Sequence, residues 1–145
     1  ETMKEAFVIL QPYLSSDETG DRIPIILATV KGDNHDIGKN ILSTMLVSGG
    51  FNVIDLGTDC TAEKIVTAVK ENNAKIVALS SLLTMTMQEI ATVHEALQDA
   101  GLRDSVKLIV GGAPLSMKLA QELGADDYGA DAIEGVRRIK ALLED

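Results

Sequence analysis

Apolar and polar positions along the chain follow two alternating rhythms. Residues 23–30, IPIILATV, are an almost unbroken apolar run, the pattern of a strand covered on both faces. Shorter runs predict strands at 52–56, 75–80 and 106–110, and ADDYGA at 125–130 predicts a short fifth strand and turn. Helical spacing fills the intervals. It predicts a helix over 38–49 closed by Gly49 and Gly50, and one over 61–72 whose Thr61 and Lys64 frame its first turn. A third helix spans 86–100, with Ile90, Val93, His94 and Leu97 near one face. Pro114 suits an early helical position, so a helix is expected from there to Leu123, and a last one over 131–143. Upstream, Met3, Ala6, Phe7, Leu10 and Leu14 predict a helix over 4–14, followed by the loop SSDETGD.

Five strand–helix units after one preceding helix imply an α/β fold: a parallel sheet with helices on both faces. For five units the common strand order is 2-1-3-4-5, the flavodoxin-like, Rossmann-like arrangement. Ligands of such sheets bind beyond the carboxyl ends of the strands, where the first and third strands part. No internal repeat or low-complexity segment interrupts the pattern.

Composition narrows the function classes. A chain of 145 residues is one domain by size, and 46% apolar with 24% charged residues is globular. Aromatic residues are only 3%, with no Trp, so Ile, Leu, Val and Ala must fill the core. The net charge of −9 argues against nucleic acid or an anionic membrane as partner, because both need a basic face. One cysteine, Cys60, excludes a disulfide framework and fits a reducing cytoplasm; it is expected to be a passive small residue. No apolar run reaches the ~20 residues that span a bilayer, and no signal peptide is evident. A chain opening at Glu1 is expected to be a piece of a longer or processed one.

The unusual residues collect at the strand ends. KGDNHDIGKN, residues 31–40, comes after the first strand and holds Asp33, His35 and Gly38. SSLLTMT (80–86) comes after the third strand, GGAP (111–114) after the fourth, and DYGAD (127–131) after the fifth. Gly38 lets a ligand approach the backbone where a helix presents free N–H groups. Gly111 and Gly112 clear room for a flat group. Ser80, Thr84 and Thr86 offer hydroxyls. A carboxylate two residues before His35 can accept from one imidazole nitrogen and leave the other as a lone-pair donor.

Several chemistries fail on these residues. No second His or Cys has zinc-ligand spacing with His35, and neither a GxxxxGK[ST] loop nor a GxSxG elbow is present. A response-regulator receiver would need an acceptor Asp where Ser80 and Ser81 stand, and a Lys where Tyr128 stands. His94, on a helix face, is expected to be structural or solvated.

Asp33-x-His35-x-x-Gly38, Ser80-x-Leu82 and Gly111–Gly112, in that order at matching strand ends, resemble the cobalamin-binding domain signature. The string GDNHDIGKNIL is similar to that of corrinoid methyl-carrier proteins and of methionine synthase. The resemblance covers residues 22–143. It implies a corrinoid-binding domain over 22–145, and in 1–16 the last helix of a preceding helical module. It implies cobalamin or a related corrinoid, alternating between methylcobalamin and Co(I) cobalamin, with His35 as the lower axial ligand of cobalt. Asp33 and Thr86 would complete a proton relay behind His35, Thr86 standing where the family often has Ser. The displaced nucleotide tail would lie against Ser80, Leu82, Thr84, Gly38, Gly111, Gly112, Gly129 and Ala130, with Tyr128 at its edge. Asn34, Asp36, Ile37 and Ala113 would make further cofactor contacts.

On the same resemblance the chain is a carrier rather than a catalyst by itself. It would pass a methyl group from a substrate-specific methyltransferase to a second methyltransferase acting on tetrahydrofolate or a thiol, with a reductive activase as a further partner. A cobalamin store or sensor, and the small subunit of an adenosylcobalamin-dependent mutase, are the alternatives; the GKN after Ile37 favours methyl carriage. Lys39 and Asn40 have no assigned task.

Overall fold

The computed structural model describes residues 23–112 and 114–144. The helix expected over 4–14 and the cofactor contact expected at Ala113 lie outside the described residues. Among the described residues five strands alternate with five α-helices: β1 (Pro24–Thr29), α1 (Ile37–Ser48), β2 (Asn52–Asp55), α2 (Ala62–Asn72), β3 (Ile76–Ser80), α3 (Gln88–Asp99), β4 (Lys107–Gly111), α4 (Met117–Glu122), β5 (Asp127–Tyr128) and α5 (Ala132–Glu144). All strand pairs are parallel, in the order β2-β1-β3-β4-β5. The expected order and layering are therefore observed.

Alternation along the strands sorts the core into two layers. Ile26, Ala28, Val77, Leu79, Leu108 and Val110 face α2, α3 and α4. Ile25, Leu27, Ile76, Ala78 and Ile109 face α1 and α5, which bring Leu46 and Ile139 onto them. Register determines the surface at the carboxyl edge. Leu27, Ala78 and Ile109 stand side by side across three strands, and two residues on the row becomes Thr29, Ser80 and Gly111. Side chains on this face thus shrink toward the edge, and α1 and α5 cannot close over them.

The helix expected from Pro114 is shorter than predicted. Pro114 lies in a turn, and Ser116 is the N-cap, its Oγ accepting from Leu119 N–H at 3.2 Å. The segment expected as the start of the third helix opens as a 3-10 turn at Thr84–Thr86 before α3 begins. His94 is structural: its Nδ1 accepts from Arg103 Nε at 2.8 Å, and Arg103 also donates to Val106 O, Gly124 O and Asp126. Cys60 is buried, its thiol within 3.4 Å of Leu56 O, and burial pushes its pKa up, which disfavours the thiolate. No helix among the described residues is long and apolar enough to cross a membrane.

Candidate functional site

The segment between β1 and α1 is built around Asp33, which has no solvent exposure. Its Oδ1 accepts from His35 N–H at 3.0 Å and pairs with His35 Nδ1 at 2.7 Å. Its Oδ2 accepts from Leu82 N–H at 2.7 Å and Thr86 Oγ1 at 3.1 Å. Burial alone would raise the carboxyl pKa. The donors from Leu82, His35 and Thr86 outweigh it and hold the group below its ordinary value, ionised. With Nδ1 committed to this carboxylate, the other ring nitrogen, Nε2, makes no hydrogen bond among the described residues, and the side chain is 53% exposed. Thr29 Oγ1 donates to His35 O at 2.9 Å and fixes the loop from the sheet side.

Thr86 is buried and has a single proton. Its Oγ1 lies 3.1 Å from Asp33 Oδ2, 2.9 Å from Leu83 O and 2.9 Å from Ser81 Oγ. The charged acceptor is the stronger one, and Ser81, fully buried, is placed to donate to Thr86 in turn. Ser81 carries no signal in the sequence because nothing separates it from Ser80 except the face of the strand end it occupies.

A cleft of about 260 Å³ opens between α1, α5 and the sheet edge, its wall beginning at Gly38, three residues after His35. Leu27, Ala78 and Ile109 form its floor; Ser80, Leu82, Gly38, Gly111, Gly112, Gly129 and Ala130, all expected at a ligand slot, line it. Glycine matters differently at two of these positions. A Cβ at Gly112 would fall 1.8 Å from Ser81 O at a φ of +146°, so the ends of β3 and β4 meet only because it is absent. A Cβ at Gly38 would meet nothing within 4 Å and would stand in the open cleft.

Two expected lining residues are not part of this wall. Thr84, in the 3-10 turn, is exposed and does not line the cleft. Tyr128 pairs with Val110 in register and packs with the layer under α2, α3 and α4, on the opposite face of the sheet. Asn34, Asp36 and Ile37 are exposed, Ile37 to 77%, and do not line the cleft. Lys39, unassigned from sequence, is buried at the cleft with Nζ 2.9 Å from both oxygens of Asp55 and from Asn40 Oδ1. It ties the first turn of α1 to the end of β2.

The donor set fits a particular kind of group. Among the described residues no three His, Cys, Asp or Glu side chains gather as metal ligands. A bare metal ion needs several protein ligands, whereas one carried in a macrocycle needs only an axial one. One oriented imidazole, three residues from the wall of an apolar, glycine-lined cleft, suits a macrocycle with a flat appendage.

The profile of the B12 binding domain matches residues 23–137. The chain belongs to the B12-binding domain family. It is 48% identical over 144 residues to dimethylamine corrinoid protein 2 of Methanosarcina acetivorans, a match covering 99% of this chain and 67% of that protein. Among solved structures, a cobalamin-binding protein from Desulfitobacterium hafniense superposes with a TM-score of 0.81 at 45% identity, over 83% of this chain and 59% of that one. The methanol:cobalamin methyltransferase complex of Methanosarcina barkeri contains a chain that matches with a TM-score of 0.78 at 28% identity, over 83% of this chain and 46% of that one. This B12-binding chain thus spans about two thirds of the length of the curated relative and 59% of the Desulfitobacterium structure.

Proposed function

We propose that this chain binds a corrinoid and carries a methyl group from a substrate-specific methyltransferase to a second methyltransferase. The observation that carries the reading is His35, its Nδ1 held by the buried Asp33 and its Nε2 left free, three residues before Gly38 in the wall of a glycine-lined cleft. Likeness to the dimethylamine corrinoid protein and to a methanol:cobalamin methyltransferase complex supports it.

A bound corrinoid supplies a cobalt centre able to accept a methyl group and give it up. His35 would hold the cobalt through Nε2. Asp33 keeps the Nδ1 proton in place whether Nε2 holds metal or a proton. Thr86, through its hydroxyl, keeps Asp33 fixed. The row Leu27–Ala78–Ile109 would receive the flat base of the nucleotide tail, with Gly38, Gly111 and Gly129 leaving it room. Ser80 supplies a hydroxyl at the same wall.

In this reading residues 22–145 are the corrinoid-binding domain and 1–16 end a preceding helical module. The acceptor is tetrahydrofolate or a thiol, a reductive activase restores the cofactor, and the protein works in the cytoplasm, where the lone Cys60 stays reduced.

The test is the visible spectrum of the chain mixed with hydroxocobalamin and then methylated. Wild type should take up the corrinoid and show a histidine-ligated methyl form. His35→Ala should take it up with the spectrum of a cobalt lacking its lower base. Absence of uptake by wild type overturns the function, and an unchanged methylated spectrum in His35→Ala overturns the ligand role.

A further inference from the structure

The loop that carries His35 is held from outside by a residue far along the chain. Asp59, in the connection between β2 and α2, accepts from Gly32 N–H through Oδ1 at 2.7 Å and donates its own N–H to Asp33 O at 3.0 Å. It thus grips the Gly32–Asp33 dipeptide at both ends. On the inner side the same dipeptide abuts Thr86: a Cβ at Gly32 would lie 3.4 Å from the Thr86 methyl. The backbone before His35 is therefore clasped between Asp59 and Thr86.

Two features show that Asp59 is held for this contact. Its φ is +54°, a conformation that Asp and Asn tolerate better than most side chains and that Gly adopts freely. The connection it sits in is also anchored at both ends. Asp55 takes the buried Lys39 on its carboxylate and Gly57 N–H at 2.9 Å, Gly57 O accepts from Thr29 N–H at 2.9 Å, and Cys60 bridges to Val30.

We infer that Asp59 is a positioning residue for the axial histidine: by fixing Gly32 and Asp33 it sets where Asp33 presents its carboxylate, and so where His35 points. The inference rests on the corrinoid reading for its spectroscopic arm only.

The variants Asp59→Gly and Asp59→Asn separate the causes. Glycine keeps the backbone conformation and removes the acceptor; asparagine keeps both the conformation and an Oδ1 acceptor. In the corrinoid-free chain, the Gly32 amide of Asp59→Gly should exchange with solvent about tenfold faster, the loss of one hydrogen bond. Asp59→Asn should match wild type. In the cobalamin-loaded chain, the histidine-ligated fraction read from the visible spectrum should fall in Asp59→Gly and be restored in Asp59→Asn, with far-UV circular dichroism unchanged in both. A loaded Asp59→Gly with the wild-type spectrum overturns the inference, as does equal loss in the two variants. A wild-type chain that takes up no corrinoid overturns the proposed function instead, and the amide exchange then decides the clasp alone.

Discussion

A carboxylate with no exposure and four donors aimed at it is best accommodated in its charged state. Asparagine at position 33 would keep the shape of Asp33 but turn one oxygen into an NH2 group. Either orientation sets that group against a backbone N–H, of Leu82 at 2.7 Å or of His35 at 3.0 Å. Hydrogen bonds to a charged acceptor are worth about 1.5–3 kcal/mol each. Asp33→Asn should therefore lose roughly 3 kcal/mol of unfolding free energy at pH 7, read by urea denaturation. The pH dependence has a definite sign. Burial works against the charge, but the donors win, so the folded pKa lies below the unfolded one. The stability due to the charge is then fully present above the ordinary carboxylate value and drains away as pH falls through the lower folded value. The gap between wild type and Asp33→Asn should narrow from pH 7 toward pH 2. A gap constant with pH would show that the carboxylate charge contributes nothing.

Among the elements, α1 forms both the support of the loop and one wall of the cleft. Gly38 lies in its first turn, where no neighbour requires glycine: an added Cβ meets nothing within 4 Å. Alanine there should stabilise the helix by about 0.5–1 kcal/mol. It should also place a methyl in the cleft. Gly38→Ala is accordingly expected to unfold at a higher temperature while binding cobalamin more weakly, a divergence that calorimetry and spectrophotometric titration resolve. Binding equal to wild type would remove Gly38 from the ligand wall. The strands and the order of elements are legible in the sequence because each core strand is a compact apolar run between polar or glycine-bearing loops. The mouth residues are legible because a His, two Asp and a Gly are conspicuous in a loop at a strand end. The illegible part depends on contacts between distant residues. The Asp33–Thr86 pair, 53 residues apart, is expected only through the family resemblance, whereas Leu82 reaches Asp33 across 49 residues and Lys39 reaches Asp55 across 16 with no such signal. Local spacing carries no signal for such pairs. Thr84 and Tyr128 miss the cleft although they adjoin strand ends, because proximity to a strand end does not reveal which way a side chain faces.

Over the whole molecule the two faces of the sheet are unequal. Under α2, α3 and α4 the apolar layer is the larger and is closed by Leu115 and Ala120. Under α1 and α5 it is smaller, and the cleft penetrates it as far as Leu27, Ala78 and Ile109. A flat group filling that cleft would complete the smaller layer and join α1 to α5 and the sheet edge, elements that unfold together in a domain of this size. Binding energy becomes folding energy by mass action: at a ligand concentration one hundred times the Kd the gain is about 2.7 kcal/mol. That corresponds to a rise of about 8 °C in Tm for a chain of this length. The rise should depend on the part of the corrinoid that enters the cleft. Cobalamin carries the nucleotide tail, whereas cobinamide has the corrin ring and cobalt without it. At equal concentration, cobalamin should raise the Tm clearly and cobinamide much less, although His35 is available to both. Equal shifts would mean that the ring alone is held and that the glycine-lined cleft receives nothing. A shift from cobalamin that disappears in His35→Ala would mean that the axial bond, rather than burial of the tail, supplies the binding energy.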